Sequence, residues 1–399
     1  MRLISRLSRA LVECPPWPPA GASAPGRAPL IRRAAHHAAV ARFPRLIRPV
    51  IMVLKCLAWP VSVLGPSVRF ARLCRGGARA APGIWAMAIR SGASPVEQCA
   101  YGIRPGDFGA ANRWMFHGEL MHLNWALADR EAVRLCADKA AFAHHLRGRG
   151  LPAAEAGVMV EPGAVPTLDR RAGPVVVKPN TGSGSAGVEI WAPVPGSETL
   201  WSRRTGRPER LDGDGLGARI AALAARHDRM IVQPVIEAHP ALARDGAVVP
   251  PVVRAVSGQW PDGRAVVAYA FIWAHFHEIG LPPAAGIGVI DVPSGRLVMT
   301  PRQVNPVFPL LGPSALVGRL RGPLPDWAAA VGVVEAAHAA LPGRVPMLSW
   351  DVILSPDGPV LIEANVASSL YYHQAATGLP GSESALGAVF EAWLTRPGA

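Results

Sequence analysis

The chain has 399 residues, half of them hydrophobic and 17% charged, with 41 Lys and Arg against 28 Asp and Glu. That composition excludes a disordered polymer and supplies enough apolar residues for one large or two smaller domains. Only Lys55, Lys139 and Lys178 are lysines; none stands in Gly-Lys-Ser/Thr or three residues after a serine, so a Walker A loop and a Ser-x-x-Lys nucleophile pair are both excluded.

Charge is unevenly placed. Residues 1–90 carry 14 Arg and Lys55 against the single acid Glu13, whereas residues 91–399 are nearly neutral. A basic patch confined to one end argues against a nucleic-acid surface on the folded core, so no nucleic-acid partner is expected. Residues 15–34, rich in Pro, Ala, Gly and Arg, read as a loop or disordered stretch. The apolar run Ile47–Leu64 is interrupted by Arg48, Pro49, Lys55 and Pro60 and reads as too short and too broken for a membrane span. No signal-peptide pattern is evident. Three readings of this region stand: a segment on an anionic membrane surface with Leu57, Trp59 and Val61 dipping in, a helical element packed on the core, or a targeting sequence or misplaced start. The five cysteines are odd in number and never C-x-x-C, which suggests neither a disulfide framework nor a zinc knuckle and fits a reducing, cytoplasmic compartment.

Further along, residues 96–150 read as helical, with Asp138 capping a segment that Gly150 stops. A short strand near Gly157–Val160 follows. Val175–Val177 and Val188–Trp191 read as strands flanking a glycine loop. Leu216–Ala225 reads as a helix, and Met230–Ile236, Val252–Ser257 and Ala265–Trp273 as strands. Asp326–Leu341 reads as an amphipathic helix. Met347–Leu354 and Pro359–Glu363 form a hairpin about Pro356-Asp357-Gly358, and Ser384–Leu394 reads as a last helix. The expected organisation is a basic region over 1–90, a helical region over 91–160 and a sheet-rich domain over 161–399.

Two constellations carry chemistry. In the first, Gly182, Ser183, Gly184, Ser185 and Gly187 make a G-x-G-x-x-G loop, but a strand and not a helix follows it. A dinucleotide site needs the helix, so the pattern reads as a flap whose N–H groups fold over phosphates. Lys178 ends the strand before it and should face an anion. In the second, Asp351 and Glu363 interrupt apolar runs on paired strands, where two carboxylates repel unless a cation lies between them. Mg²⁺ is the natural partner, and Asn365, on the same side as Glu363, offers a third oxygen. His275 and His277 share a strand face, without an apparent third ligand for a metal.

Lys178 with its glycine flap, followed by the Asp351…Glu363-Ala-Asn365 hairpin, resembles the ATP-grasp superfamily over residues 138–370. The resemblance implies an α+β fold in which two α/β subdomains grip ATP, preceded here by the basic, partly helical N-terminal region. It makes Lys139 and Lys178 the phosphate lysines, puts the adenine hinge at Gln233, Pro234 and Ile236, and offers Glu237 or His239 for the ribose hydroxyls without a clear match to either. It also implies that Arg254 faces the phosphates and that Asp351, Glu363 and Asn365 hold Mg²⁺ or Mn²⁺. Asp138-Lys139, Gly150-Leu151-Pro152, Trp350-Asp351 and Glu363-Ala364-Asn365 are most similar to the sugar-transfer-associated branch, related to α-L-glutamate ligases. That implies an ADP-forming carboxylate–amine or carboxylate–nucleophile ligase acting through an acylphosphate in polysaccharide or cell-envelope synthesis. Its partners would be a small-molecule carboxylate, an amine or sugar-linked acceptor and, through residues 1–90, the membrane. The alternative is a non-catalytic ATP-binding scaffold at the membrane. Two departures disfavour a D-alanine ligase: Ser349 replaces an arginine, and Val366-Ala367-Ser368-Ser369 replaces a Pro-Gly turn that holds the acceptor. Tyr371-Tyr372-His373 then stand near the acceptor side.

Overall fold

The computed structural model describes residues 26–46, 48–73, 77–155, 157–182, 187–274, 278–279, 286–298, 320 and 322–396. Among the described residues, eight α-helices come first: α1 (Arg27–Ala41), α2 (Arg48–Leu73), α3 (Ala81–Ser91), α4 (Pro95–Tyr101), α5 (Phe108–Arg113), α6 (His117–Leu127), α7 (Arg130–Ala137) and α8 (Lys139–Arg147). The expected loop over 15–34 is therefore corrected in its described part, since residues 27–34 lie inside α1. The apolar run also differs from expectation. It is one continuous helix of 26 residues that passes through Pro60 and Pro66, and it is long and apolar enough to cross a membrane. Proline removes a ladder bond and kinks a free helix. Here tertiary contacts hold the helix together: Trp85 Nε1 donates to the Pro60 carbonyl at 2.9 Å and Trp59 Nε1 to the Ala88 carbonyl at 3.3 Å. Trp59 is thus buried inside the protein and does not dip outward. Cys99 is in a disulfide whose partner lies outside the described residues, contrary to the expectation of reduced thiols, while Cys56 and Cys136 are free.

The remaining elements build two sheets. The first contains β1 (Val158–Val160), β2 (Val175–Pro179), β3 (Glu189–Pro193), β4 (Trp201–Arg203), β5 (Arg210–Leu211) and, after helix α9 (Gly213–His227), β6 (Met230–Pro234). Its strand order is β1-β6-β2-β3-β4-β5, with every neighbouring pair antiparallel. Alternation decides its faces: Val175 and Val177 join Trp191, Leu216 and Ile220 in the core beneath α9, and Val176 and Lys178 take the other face.

The second sheet contains β7 (Val252–Gln259), β8 (Ala265–Ala274), β9 (Gly286–Ile290), β10 (Leu297–Val298) and, after helix α10 (Trp327–Ala339), β11 (Met347–Ser355) and β12 (Gly358–Asn365). Its order is β10-β9-β8-β7-β11-β12, again antiparallel. Helices α11 (Tyr371–Thr377) and α12 (Ala385–Thr395) close the chain. The core under this sheet gathers Val253, Ile272, Trp350, Val352 and Leu361 against Val334 and Ala337 of α10. A buried polar chain crosses it. His338 Nε2 donates to the Val345 carbonyl at 2.8 Å, so Nδ1 is the acceptor for the Ser257 hydroxyl at 2.7 Å, and Ser257 Oγ accepts from Trp350 Nε1 at 2.7 Å. Burial pushes the His338 imidazole down to about 3, which keeps that tautomer neutral.

The N-terminal helices pack on this second half. Ile31 and Ala35 of α1 lie among Leu120, Leu123, Val256 and Phe390. Beside them Arg32, 1% exposed, forms a two-pronged pair with Glu119 at 3.0 and 3.1 Å and also donates to Asn112 and the Ser91 carbonyl. Removing one partner of a buried pair leaves an uncompensated charge, whereas replacing both with apolar side chains does not. Glu119→Leu is therefore expected to lower the unfolding free energy by about 3–5 kcal/mol. The double variant Arg32→Met/Glu119→Leu should recover most of that loss, read by denaturant titration.

Candidate functional site

The two sheets face each other across a cleft that opens to solvent. The first sheet presents Val176, Lys178, Ile190 and the segment 233–236; the second presents Val252, Asp351, Ile353, Ile362 and Glu363; Lys139 joins them from the start of α8. One part of the cleft is apolar and the other is charged. Arg204, just past β4, pairs with Glu278, beyond the end of β8, at 2.8 Å, and Glu278 also accepts the N–H groups of Val248 and Val249. Val249 in turn lines the cleft.

The charged end is built by β11 and β12. Asp351 lies directly opposite Glu363, and on its other side opposite Arg254 of β7. The register slips between Asp351 and Val352, which pair with Glu363 and Leu361, so Ile362 is an extra residue. Such a bulge re-aims side chains, and here it lets the consecutive residues Ile362 and Glu363 both face the cleft. Asn365 donates from Nδ2 to Glu363 Oε1 at 3.0 Å, so the two share a face.

Five charges meet there. Arg254 pairs with Asp351: Nη2 donates to Oδ2 at 2.9 Å, and Nε stands 2.6 Å from Oδ1, which accepts no hydrogen bond. Lys139 Nζ stands 3.5 Å from Glu363 Oε2 and donates to the Gly182 carbonyl at 2.8 Å. Burial pushes the Asp351 carboxyl up to about 7, with Arg254 opposing and the adjacent Glu363 adding to the rise. Burial also acts to raise Glu363, but the Asn365 amide and then Lys139, Lys178 and Arg254 outweigh it and hold the group low. The Lys178 ammonium is pushed down to about 8 by burial, with Glu363 opposing and Lys139 adding to the fall.

Local structure explains how the lysines arrive. Asp138 caps α8 by accepting from Ala141 N at 2.9 Å. Asn180, just past β2, binds the same helix end: its side-chain oxygen accepts from Ala140 N at 3.0 Å and its carbonyl from Lys139 N at 3.1 Å. Asn180 thus fixes Lys139 beside Lys178, a role sequence reading did not assign. Gly182 and Gly187 frame the loop with φ of 103° and 80°, and a side chain at Gly187 would strike His227 and Pro179. Ser183, Gly184 and Ser185 lie outside the described residues, as do His275 and His277.

At the apolar end, Val235 N donates to the Pro174 carbonyl at 2.9 Å. In an extended segment that turns the Pro234 carbonyl and the Ile236 N–H away from β2, and both residues line the cleft. Gln233 lines it too, although its amide nitrogen is engaged by the Glu155 carbonyl. Glu237 is exposed and lies outside the lining. The apolar walls, Val176, Ile190, Val252 and Ile353 among them, were not singled out beforehand. Three carry a signal: Val176, Val252 and Ile353 stand two residues from Lys178, Arg254 and Asp351, hence on the same strand faces.

Among the described residues, no three His, Cys, Asp or Glu side chains form a group that could hold a metal. The donors at the charged end are two carboxylates and one amide oxygen. This hard-oxygen set fits Mg²⁺, which keeps waters and takes further oxygens from phosphates. The raised Asp351 carboxyl beside the lowered Glu363 is what a pair needing a cation would show.

The lysine's burial has a measurable consequence. Between pH 8 and 10.5 the unfolded chain holds the Lys178 proton while the folded protein releases it, so stability rises with pH through that window. Ligand-free wild-type protein should gain stability between pH 8 and 10 relative to Lys178→Met, measured by urea titration at each pH.

No protein-family model matches the sequence, and no curated protein matches it. Among solved structures, the chain is similar to a D-alanine–D-alanine ligase from Bacillus anthracis complexed with ATP, with 16% identity, TM-score 0.40, and coverage of 67% of this chain and 69% of that one. It is also similar to an L-amino acid ligase from Bacillus licheniformis, with 13% identity, TM-score 0.37, and coverage of 66% and 49%. A biotin carboxylase complex from Campylobacter jejuni shows 12% identity, TM-score 0.38, and coverage of 68% and 49%.

Proposed function

We propose that the cleft is an ATP-grasp site and that the protein is an ATP- and Mg²⁺-dependent ligase joining a small-molecule carboxylate to an amine or other nucleophile. One observation carries this reading: Lys139, Lys178 and Arg254 converge on Asp351 and Glu363 at one end of a cavity whose other end is apolar. An adenine suits the apolar end, with the Pro234 carbonyl accepting its amino hydrogen and the Ile236 N–H donating to a ring nitrogen. A triphosphate suits the charged end, where compact ammonium groups neutralise its oxygens.

Asp351, Glu363 and Asn365 would hold Mg²⁺ or Mn²⁺, which supplies charge neutralisation at the phosphates. The rest of the catalysis would be positioning. Lys178 and Lys139 hold the β- and γ-phosphates, and Arg254 swings from Asp351 to the transferring group. A substrate carboxylate oxygen attacks the γ-phosphorus, the bond to the β-phosphate oxygen breaks, and ADP leaves. The amine then attacks the acyl carbon, loses a proton to solvent, and inorganic phosphate departs.

The finer assignment follows the branch resemblance: a cytoplasmic enzyme of polysaccharide or cell-envelope synthesis with a sugar-linked acceptor. Ser349 in place of an arginine and the Val366–Ser369 stretch point away from D-alanine as acceptor. The scaffold alternative predicts nucleotide binding without turnover.

ADP release, measured with Mg²⁺ across a panel of carboxylates and amines, tests the reading. Wild-type protein should release ADP with at least one pair, and Lys178→Ala should lower kcat/KM about 10²–10³-fold. Asp351→Asn should abolish the dependence on Mg²⁺. Tight ATP binding with no ADP release for any pair would favour the scaffold, and no nucleotide binding would refute both.

A further inference from the structure

The longest helix presents a face that the folded body leaves uncovered. Along α2, Val50, Val53, Leu54, Leu57, Val61, Leu64 and Val68 are all between 40% and 72% exposed. At 3.6 residues per turn these positions fall in one stripe about 100° wide. The opposite face is packed: Ile51, Lys55, Trp59, Val63 and Ser67 are buried, all five in steps of about one turn. Between residues 49 and 68 the one charged side chain is this buried Lys55. A monomer seldom exposes so long an unbroken apolar stripe unless something covers it.

Charge says what covers it. Arg45 lies exposed just before the helix, and Arg69 and Arg72 lie exposed at its end. From Cys14 to Val96 the sequence contains no Asp or Glu. An apolar stripe between exposed arginines, in a region without acids, matches the surface of an anionic bilayer, where hydrocarbon lies under a plane of phosphates. A protein partner would need acidic rims at both ends of a long apolar groove.

The packing also sets the orientation. Trp59 and Val63 are locked into Ala88, Trp85 and Ile89 of α3, so the helix rests lengthwise on the body and only one face can meet lipid. Pro60 and Pro66 remove the intrahelical donors of the Cys56 and Ser62 carbonyls. A freed carbonyl is costly in the hydrocarbon centre and can be hydrated near the headgroups.

We propose that α2 is a monotopic membrane-docking helix. It lies in the plane of an anionic leaflet with Val53, Leu57, Val61 and Leu64 in the acyl boundary and Arg45, Arg69 and Arg72 on lipid phosphates. The proposal stands on α2 alone and does not rest on the ligase reading.

Full-length protein is tested by flotation with vesicles of phosphatidylcholine alone or mixed with phosphatidylglycerol. Wild type should float with the mixed vesicles and not with phosphatidylcholine alone. Val53→Ser/Leu57→Ser/Val61→Ser should weaken binding at least tenfold, and Arg69→Gln and Arg72→Gln about fivefold each. Circular dichroism melts must match wild type, which separates lost docking from lost folding. Cys56, an exposed free thiol on this helix, takes an environment-sensitive fluorophore, with Cys56→Ser as the labelling control. Its emission should shift to the blue on mixed vesicles and be quenched more by shallow than by deep nitroxide lipids. The proposal is overturned if wild type binds neither vesicle, if the triple variant floats as well as wild type, or if deep quenchers dominate, which would place the helix across the bilayer. It is equally overturned if wild type is a dimer that the triple variant dissolves without any vesicle binding.

Discussion

Everything at the cleft depends on two carboxylates placed side by side. Asp351 and Glu363 face each other across β11 and β12 in a largely buried setting, and such groups cannot both carry charge without cations nearby. Lys139, Lys178 and Arg254 are those cations in the ligand-free protein. The cluster is nearly balanced, but the balance is reached only by depressing one lysine and raising one aspartate. A core aimed at stability alone would replace such a cluster with apolar residues. Its cost is intelligible if a polyanion and a divalent cation enter together, because the lysines then turn to the one and the carboxylates to the other.

The fold serves that arrangement from three directions. β2 brings Lys178, the α8 terminus brings Lys139 through its strap to Asn180, and the β11–β12 hairpin brings the acids. The bulge at Ile362 lets a hydrophobic wall and a carboxylate occupy adjacent positions of one strand, which regular alternation forbids. Arg254 arrives on the next strand at the position paired with Asp351. A guanidinium therefore stands by that aspartate even though Ser349, on the same strand, provides none.

The parts of this site that could be read from sequence are those encoded by short-range pattern. A lysine ending a run of valines, a glycine loop without a following helix, and acids breaking apolar strands are signals within a few residues, and the strands carrying them lie near where period-two reading puts them. What escaped depends on contacts distant in the chain. α2 reads as broken because proline propensity is local, while Trp85, 25 residues on, fastens the helix to α3 through its bond to the Pro60 carbonyl. The Arg32–Glu119 pair spans 87 residues and leaves no trace in spacing. Asn180 looks like a loop residue until α8 folds onto it. Short strands such as β4, β5 and β10 are too brief for periodicity to mark.

The N-terminal region is also coupled to the site. α1 is pinned to α6 through Glu119, and five residues further along α6, the fully buried Asn124 accepts from Met347 N and donates to the carbonyls of Met347 and Val366. Met347 begins β11 and Val366 directly follows Asn365. One asparagine therefore clamps together the ends of the two strands that carry the acids and ties them to the helices beside α2. A flexible basic tail would let the body that carries the cleft tumble at a membrane surface. These buried bonds give the cleft a defined orientation relative to the exposed stripe of α2. If the cleft is the ligase site proposed above and α2 docks on a membrane, an acceptor held in the lipid plane meets the cleft at a set distance and angle, and docking then helps select the acceptor as well as locate the protein.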